Sequence, residues 1–128
     1  MRVASVHSQA VHDAIGQLIG PTGQFAFLGA ETKQLADNSM FSWRWRDGTP
    51  WDFEAWEPGE PNNGDGQVLL VIKWQPSVGV VWHDLPVSAT AGVICEAASI
   101  SAIQGVVPTI LRLGGPKNAA MIEASEDL

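Results

Sequence analysis

The chain has 128 residues, a length that favours one domain, and 45% of them are hydrophobic, which is ordinary for a globular protein. Fourteen acidic and seven basic residues give a formal net charge of −7, which argues against nucleic-acid binding because that function depends on a basic surface. The single cysteine, Cys95, excludes an intrachain disulfide framework and is expected to be a buried apolar residue. No apolar run approaches the roughly 18 residues of a membrane span, and no signal peptide is visible.

The first element predicted along the chain is a helix over residues 8–19. Its apolar positions recur at helical spacing: Val11, Ile15, Leu18 and Ile19. Ser8 is a suitable N-cap, and Gly20-Pro21 ends the helix. His7 and His12 flank the helix start, and both are expected to be surface or cap-region residues rather than metal ligands, because nothing nearby completes a site.

Four further segments are predicted to form antiparallel strands: residues 24–30, 68–74, 80–82 and 92–96. The segment at 68–74 is almost continuously apolar, which is typical of a central strand buried on both faces. Residues 75–79 are expected to form the turn that follows it. Residues 31–40 are polar and are expected to be irregular.

A long aromatic stretch occupies residues 41–63 and holds four of the six tryptophans and three of the eight prolines. Prolines and glycines interrupt regular structure, whereas buried indoles supply large packing areas. The stretch is therefore predicted to be a long, non-repetitive but ordered loop. Trp45, Trp56 and Trp82 are expected to pin the core, Trp51 is expected to be more exposed, and Asp47-Gly48 is expected to be a turn.

Several motifs in this part of the chain resemble, in order, those of the C-type lectin-like domain. They are Ala4-Ser5-Val6-His7-Ser8, Phe27-Leu28-Gly29-Ala30, Trp45-Arg46-Asp47-Gly48, Glu60-Pro61-Asn62, Trp82-His83-Asp84 and Val93-Ile94-Cys95-Glu96. The resemblance covers roughly residues 2–96 and, with one cysteine, is to cysteine-poor, microbial-type members. It implies an α+β fold with two helices, small antiparallel sheets and the long aromatic loop.

The resemblance also divides the chain into a lectin-like core at residues 1–96 and a tail at 97–128. The family usually begins with a strand and a helix that this N-terminus lacks. The tail has the pattern of a strand at 109–113, a break at 114–116 and a helix at 118–128. We therefore expect circular permutation, or a tail that fills the same place in a second copy and produces a homo-oligomer. The alternative is an unrelated C-terminal extension.

In the family, the Glu-Pro-Asn loop and the adjoining strand form a calcium site that also ligates sugar hydroxyls. Carried over, the resemblance implies a metal-ligand set of Glu60, Asn62, Asp65 or Gln67, His83 and Asp84. It implies sugar contacts from Glu60, Asn62, His83, Asp84 and the aromatic Trp51. A cis bond at Glu60-Pro61 is also predicted. His83 departs from the family's usual asparagine, and imidazole suits zinc or copper better than Ca²⁺.

The function implied is a carbohydrate-recognition module of the mannose/glucose type that binds sugar through Ca²⁺. A site that has lost its metal, a His83-containing transition-metal site and a metal-independent protein-recognition or adhesion module remain as alternatives. Enzymatic activity is not expected, because the sequence has no nucleophile motif, phosphate-binding glycine loop or Cys/His cluster. The expected partner is a carbohydrate or a protein, and the resemblance favours an extracellular or cell-surface location.

Overall fold

The computed structural model describes residues 2–21, 24–34, 41–61, 68–86, 88–96 and 111–117. These residues form one α-helix and seven β-strands. The elements, in chain order, are β1 (Arg2–Val3), α1 (Gln9–Ile19), β2 (Phe25–Gln34), β3 (Phe41–Trp45), β4 (Val68–Gln75), β5 (Gly79–Pro86), β6 (Ala91–Glu96) and β7 (Leu111–Lys117). The mixed α+β class is as predicted. In the described part of the chain, α1 is too short to cross a membrane.

All seven strands pair into one sheet, so the prediction of several small sheets is wrong. Its central order is β1-β6-β2-β4-β5, with β3 added to β2 and β7 added to β6. The sheet is continuous because β2 is ten residues long and bonds different strands along its length. The β2–β6 pair is parallel, whereas the other pairs are antiparallel.

Helix α1 begins and ends where its local sequence predicts. The Ser8 side chain accepts a hydrogen bond from the backbone N–H of Val11 at 3.3 Å, which satisfies one of the unpaired donors at the helix start. Gly20, at φ 64°, ends the helix and donates its N–H to the carbonyl of Gly16 at 3.0 Å. Leu18, predicted on the apolar face, is 39% exposed and lies at the edge of that face.

The sheet carries an apolar cluster on each side. The cluster beneath α1 includes Val11, Ile15, Ala26, Leu28, Leu70, Ile72, Trp82 and Ile94. The opposite cluster includes Val3, Phe27, Leu69, Val71, Ala91, Val93 and Cys95. Strand β4 contributes to both, which confirms that this apolar run is a central strand, and Cys95 is buried as predicted. Each fully buried aliphatic side chain contributes about 1.5–3 kcal/mol of burial free energy.

The aromatic stretch packs onto this core, but its first five residues form strand β3, so the prediction of an entirely non-repetitive loop is wrong. Trp43 and Trp45 alternate with polar neighbours, and this period of two is that of a half-buried strand. Trp45 and Trp82 are buried as predicted, with ring centroids 5.8 Å apart. Trp56 is half-buried and packs edge-on against Trp82, at 5.7 Å.

Both N-terminal histidines are buried, so the prediction of surface positions is wrong. His7 Nδ1 lies 2.6 Å from Asp52 Oδ1 and thereby ties the aromatic stretch to the segment before α1. His12 Nε2 donates to the carbonyl of Val80 at 3.0 Å and so joins α1 to β5. Burial lowers the pKa of His12, because the charged imidazolium loses hydration there.

The described part of the tail is strand β7, which is antiparallel to β6. β7 continues through Gly114, Gly115 and Pro116, so the predicted break at 114–116 is wrong. Leu113 packs against the cluster that contains α1. Residues 97–110 and the predicted helix at 118–128 lie outside the described residues. Circular permutation, exchange with a second copy and the resulting oligomer therefore stay predictions.

Candidate functional site

A tight turn precedes the Glu-Pro-Asn segment. The backbone N–H of Glu60 donates to the carbonyl of Glu57 at 2.8 Å, and Pro58 and Gly59 occupy the two central positions. Gly59 has φ 90°, the left-handed value that the third position of a type II turn requires. The Glu60-Pro61 bond that follows is cis, as predicted. The turn therefore carries a glutamate at each end.

Two backbone hydrogen bonds fasten this part of the loop to β5. Trp82 donates its N–H to the carbonyl of Ala55 at 2.9 Å, and Glu57 donates its N–H to the carbonyl of Trp82 at 3.2 Å. Trp56 thereby forms an isolated parallel bridge with Trp82. Because Trp82 is fixed in the core, these bonds place the turn beside the next residues of β5, His83 and Asp84.

The His83 imidazole lies between the two glutamates of the turn. Its Nδ1 is 3.4 Å from Glu60 Oε1, and its Nε2 contacts Glu57 Oε2. The side chains of Glu57, Glu60 and His83 are 18%, 12% and 19% exposed, so the group is sheltered but reachable from solvent. Both imidazole nitrogens therefore face carboxylates.

Asp84 completes the group from the same strand. Its side chain and its backbone both hydrogen-bond with Glu60, and the residue is only 6% exposed. Burial raises the pKa of Glu60, and the neighbouring Asp84 charge acts in the same direction, whereas the positive charge of His83 acts against it. Two carboxyl groups this close cannot both ionise without cost, so the arrangement favours either a shared proton or a cation.

The structure thus brings together three of the predicted site residues, Glu60, His83 and Asp84. Of the remaining predicted ligands, Asn62, Asp65 and Gln67 lie outside the described residues. Trp51, predicted as the exposed sugar-stacking residue, is half-buried: its ring centroid lies 4.8 Å from that of Trp45.

Trp51 is also held by a polar contact, since its Nε1–H donates to Glu54 Oε2 at 2.8 Å. Packing against Trp45 and the hydrogen bond to Glu54 together hold the Trp51 side chain in place. Its predicted role as a sugar-stacking platform stays a prediction.

Sequence reasoning missed Glu57. The Pro58-Gly59 pair is a turn signal, and a turn of four residues brings its two ends together. That signal could have placed Glu57 beside Glu60. Among the described residues, no group of three or more His, Cys, Asp or Glu side chains has the arrangement of a metal site. The described part of the site consists of the Glu60 and Asp84 carboxyls, with Glu57 and His83 beside them.

No family model matches the chain, but curated C-type lectins do. A C-type lectin of Cerberus rynchops is 36% identical over 59 residues, which are 46% of this chain and 37% of the lectin. Ladderlectin of Oncorhynchus mykiss is 31% identical over 85 residues, 65% of this chain and 43% of that protein. A C-type lectin mannose-binding isoform of Oxyuranus scutellatus is 34% identical over 55 residues, 43% of this chain and 35% of that protein.

The chain therefore spans less than half the length of these three relatives. Their names are those of lectins, which are binding proteins and not enzymes, in agreement with the prediction of a non-enzymatic domain. The matches support the resemblance drawn from the motifs, and the helix packed on a mixed sheet agrees with it. The sequence matches therefore support a C-type lectin-like domain in this chain.

Proposed function

We propose that this domain is a carbohydrate-recognition module whose site is the turn and strand that hold Glu60, His83 and Asp84. The observation that carries the proposal is the direct hydrogen bond between the Glu60 and Asp84 carboxyls beside the loop. Vicinal sugar hydroxyls need acceptors of this kind, and lectin-named relatives support the ligand class. The Glu60-Pro61-Asn62 order favours a sugar of the mannose or glucose type.

More specifically, we propose that a bound Ca²⁺ bridges the sugar and these residues. Ca²⁺ takes six to eight oxygen ligands and favours carboxylates. Glu60 and Asp84 would supply them, with the amide oxygen of Asn62 as a further ligand. The raised pKa of Glu60 supports a cation here, because a divalent charge would relieve the repulsion between the two carboxylates. When bound, Ca²⁺ would supply further coordination positions for sugar hydroxyls.

A second candidate is metal-independent recognition of a sugar or protein on the same surface. The observation that favours it is the His83 ring, which both glutamates of the turn approach. A protonated imidazole there would balance part of the negative charge without a metal. The side chains of Glu57, Glu60 and Asp84 would then act only as hydrogen-bond acceptors.

The test is thermal unfolding with millimolar CaCl₂ or with EDTA, together with retention on immobilised mannan. Calcium that binds only the folded state raises the melting temperature by mass action. We expect a calcium-dependent rise that Asp84→Asn and Asn62→Ala abolish, along with mannan retention. Asp13→Asn, a change on the exposed face of α1, is the matched control and should leave both readouts unchanged.

His83→Asn separates the two candidates, since it replaces the imidazole with an amide that offers an oxygen. If Ca²⁺ is the ligand bridge, this variant should bind calcium more tightly than the parent protein. If the imidazole provides the positive charge, the variant should lose ligand retention, and EDTA should have no effect on the parent. A protein with no calcium shift and no retained mannan would contradict the calcium-dependent proposal.

A further inference from the structure

A polar groove lies beside the paired strands β2 and β3. Its volume is about 360 Å³, and it is lined by Glu31, Arg44, Trp45, Arg46, Gly48 and Thr49. This volume lies within the range of small-molecule sites, roughly 300–1,000 Å³. None of these six residues belongs to the turn-and-strand site. The groove is therefore a separate feature of the described surface.

Two arginines give this groove a positive character in an otherwise acidic chain. Trp43 and Trp45 pack with the apolar cluster beneath α1, so strand alternation places Arg44 on the opposite face of β3. Arg46 is the residue after β3, and its backbone N–H donates to the carbonyl of Gly29 at 2.7 Å, which fixes its position. Three of the four arginines in the sequence, these two and Arg2, lie near this corner.

Arg44 remains accessible although it has an internal partner. Its Nη2 donates to Glu31 Oε1 at 3.2 Å, across directly paired positions of β2 and β3. The Arg44 side chain is nevertheless 68% exposed. A guanidinium has five N–H donors, so one bond to Glu31 leaves capacity for a ligand carboxylate or sulfate.

A second acid near the groove, Asp47, is compensated from within the fold. Its carboxylate accepts from the Thr49 N–H at 3.0 Å and from the Ser5 hydroxyl at 2.7 Å, and Arg2 Nη1 lies 3.9 Å away. Burial alone would raise the pKa of Asp47, but hydrogen bonds from Thr49 and Ser5 and the charge of Arg2 together lower it. The ionised Asp47 therefore has partners in Ser5, Thr49 and Arg2.

We propose that this groove binds an acidic substituent, a carboxylate or a sulfate, of a charged glycan. The guanidiniums suit planar or tetrahedral anions. Gly48 leaves open space, since a side chain built there would meet nothing within 4 Å. The inference rests on the proposed carbohydrate function and adds a second, charge-selective contact to it.

The test is direct binding, by calorimetry in EDTA, of matched oligosaccharides: neutral dextran, its sulfated derivative and a glucuronate oligomer. EDTA removes any calcium-dependent binding at the turn-and-strand site, and the arginine variants below distinguish the groove from that site. We expect the acidic oligosaccharides to bind and the neutral one not to bind. Arg44→Gln and Arg46→Gln should each weaken binding by about tenfold, the effect of losing a charge-assisted hydrogen bond.

Two further variants make the test specific. Glu31→Gln removes the internal competitor of Arg44 and should strengthen binding severalfold. Arg112→Gln removes the same positive charge from an exposed position on β7, outside the groove, and should leave binding unchanged. Melting temperatures within a few degrees of the parent would show that the variants fold, as expected because exposed pairs contribute only ~0–1 kcal/mol.

Binding of only the sulfated or only the glucuronate oligomer would support the proposal and identify the anion. Equal losses of binding affinity in Arg44→Gln and Arg112→Gln would overturn the proposal, because they would show that the glycan responds to the net charge of the protein and not to the groove. Hexaglutamate that binds as tightly as the acidic glycans would also overturn it and would identify a protein ligand. Mannan retention with calcium, measured separately, tells whether the proposed carbohydrate function itself has failed.

Discussion

Ser5 and Glu96 are hydrogen-bonded across a separation of 91 residues: the backbone N–H of Ser5 donates to Glu96 Oε1 at 3.1 Å. The hydroxyl of the same serine donates to Asp47 Oδ2 at 2.7 Å. One residue thus links the end of β6 to the turn that follows β3. Glu96 is only 1% exposed, and burial raises its pKa, whereas the pKa of Asp47 is lowered.

The raised pKa of Glu96 predicts a pH-dependent cost in stability. In the unfolded chain this carboxyl titrates near its ordinary value of 4.5. Below that pH it is protonated in both states and the cost is absent; as the pH rises through the folded pKa, the buried carboxylate ionises and the cost develops. Glu96→Gln should therefore stabilise the protein at neutral pH by about 1 kcal/mol and have little effect near pH 4. Urea unfolding at the two pH values measures the difference.

Ser5→Ala is the matched control for this prediction. It keeps the backbone bond to Glu96 but removes the hydroxyl bond to Asp47 and the longer hydroxyl contact with Glu96 at 3.5 Å, so it should destabilise the protein at neutral pH by about 1 kcal/mol. The pKa shift of Asp47 has the opposite sign to that of Glu96. Its contribution to the free energy of unfolding is therefore stabilising above pH 3.8 and is lost as the pH falls through the folded pKa. A Glu96→Gln gain of equal size at both pH values would contradict the assigned cause.

Gly16 permits α1 to approach β5 closely. A Cβ built on Gly16 would lie 2.7 Å from Val80 Cγ2, so Gly16→Ala must shift the Val80 side chain or move α1 away from β5. Alanine favours the helix by about 1 kcal/mol, but overpacking typically costs 1–3 kcal/mol. We expect a lower melting temperature. The double variant with Val80→Ala should recover part of the loss, and purely additive effects would show that the contact does not limit packing.

The predicted permutation can be tested by rearranging the chain. A protein in which residues 97–128 precede residue 2, joined by a short Gly-Ser linker, should keep β7 antiparallel to β6 and fold. We expect circular dichroism and a melting temperature close to those of the parent. Residues 1–96 alone should be less stable, because they leave the β6 edge uncovered. An unfolded rearranged chain beside a stable 1–96 fragment would contradict the prediction.

Local sequence patterns predicted the elements that depend on neighbours along the chain. The helical spacing and the Ser8 cap predicted α1 to within one residue, and the apolar run at 68–74 predicted β4. Strand β3 was missed because prolines and glycines beyond residue 47 dominated the interpretation of the whole stretch. The alternation of Trp43 and Trp45 with polar residues was the signal that could have identified it.

The candidate site likewise has residues that the sequence motifs indicate and a residue that only the fold brings to it. The motifs implied that Glu60, His83 and Asp84 lie together, and the structure places them side by side. Their roles as metal and sugar ligands stay predictions. Glu57, as a neighbour of His83, was found only in the folded chain, because its position depends on the backbone bonds between the loop and Trp82. Likewise, only the pairing of β3 with β2 shows that Arg44 lies opposite Glu31.

The sequence by itself therefore determined the helix, the central strand, the buried cysteine and the lectin-like motifs, because periodicity, capping and turn chemistry act within a few residues. Only the tertiary structure decided the burial of His7 and His12 and the meeting of Glu57 with His83. It also decided the link from Ser5 to Glu96 and Asp47. Hydrogen bonds between distant residues have no local signature, since each partner is chosen by packing that brings separate segments of chain into contact.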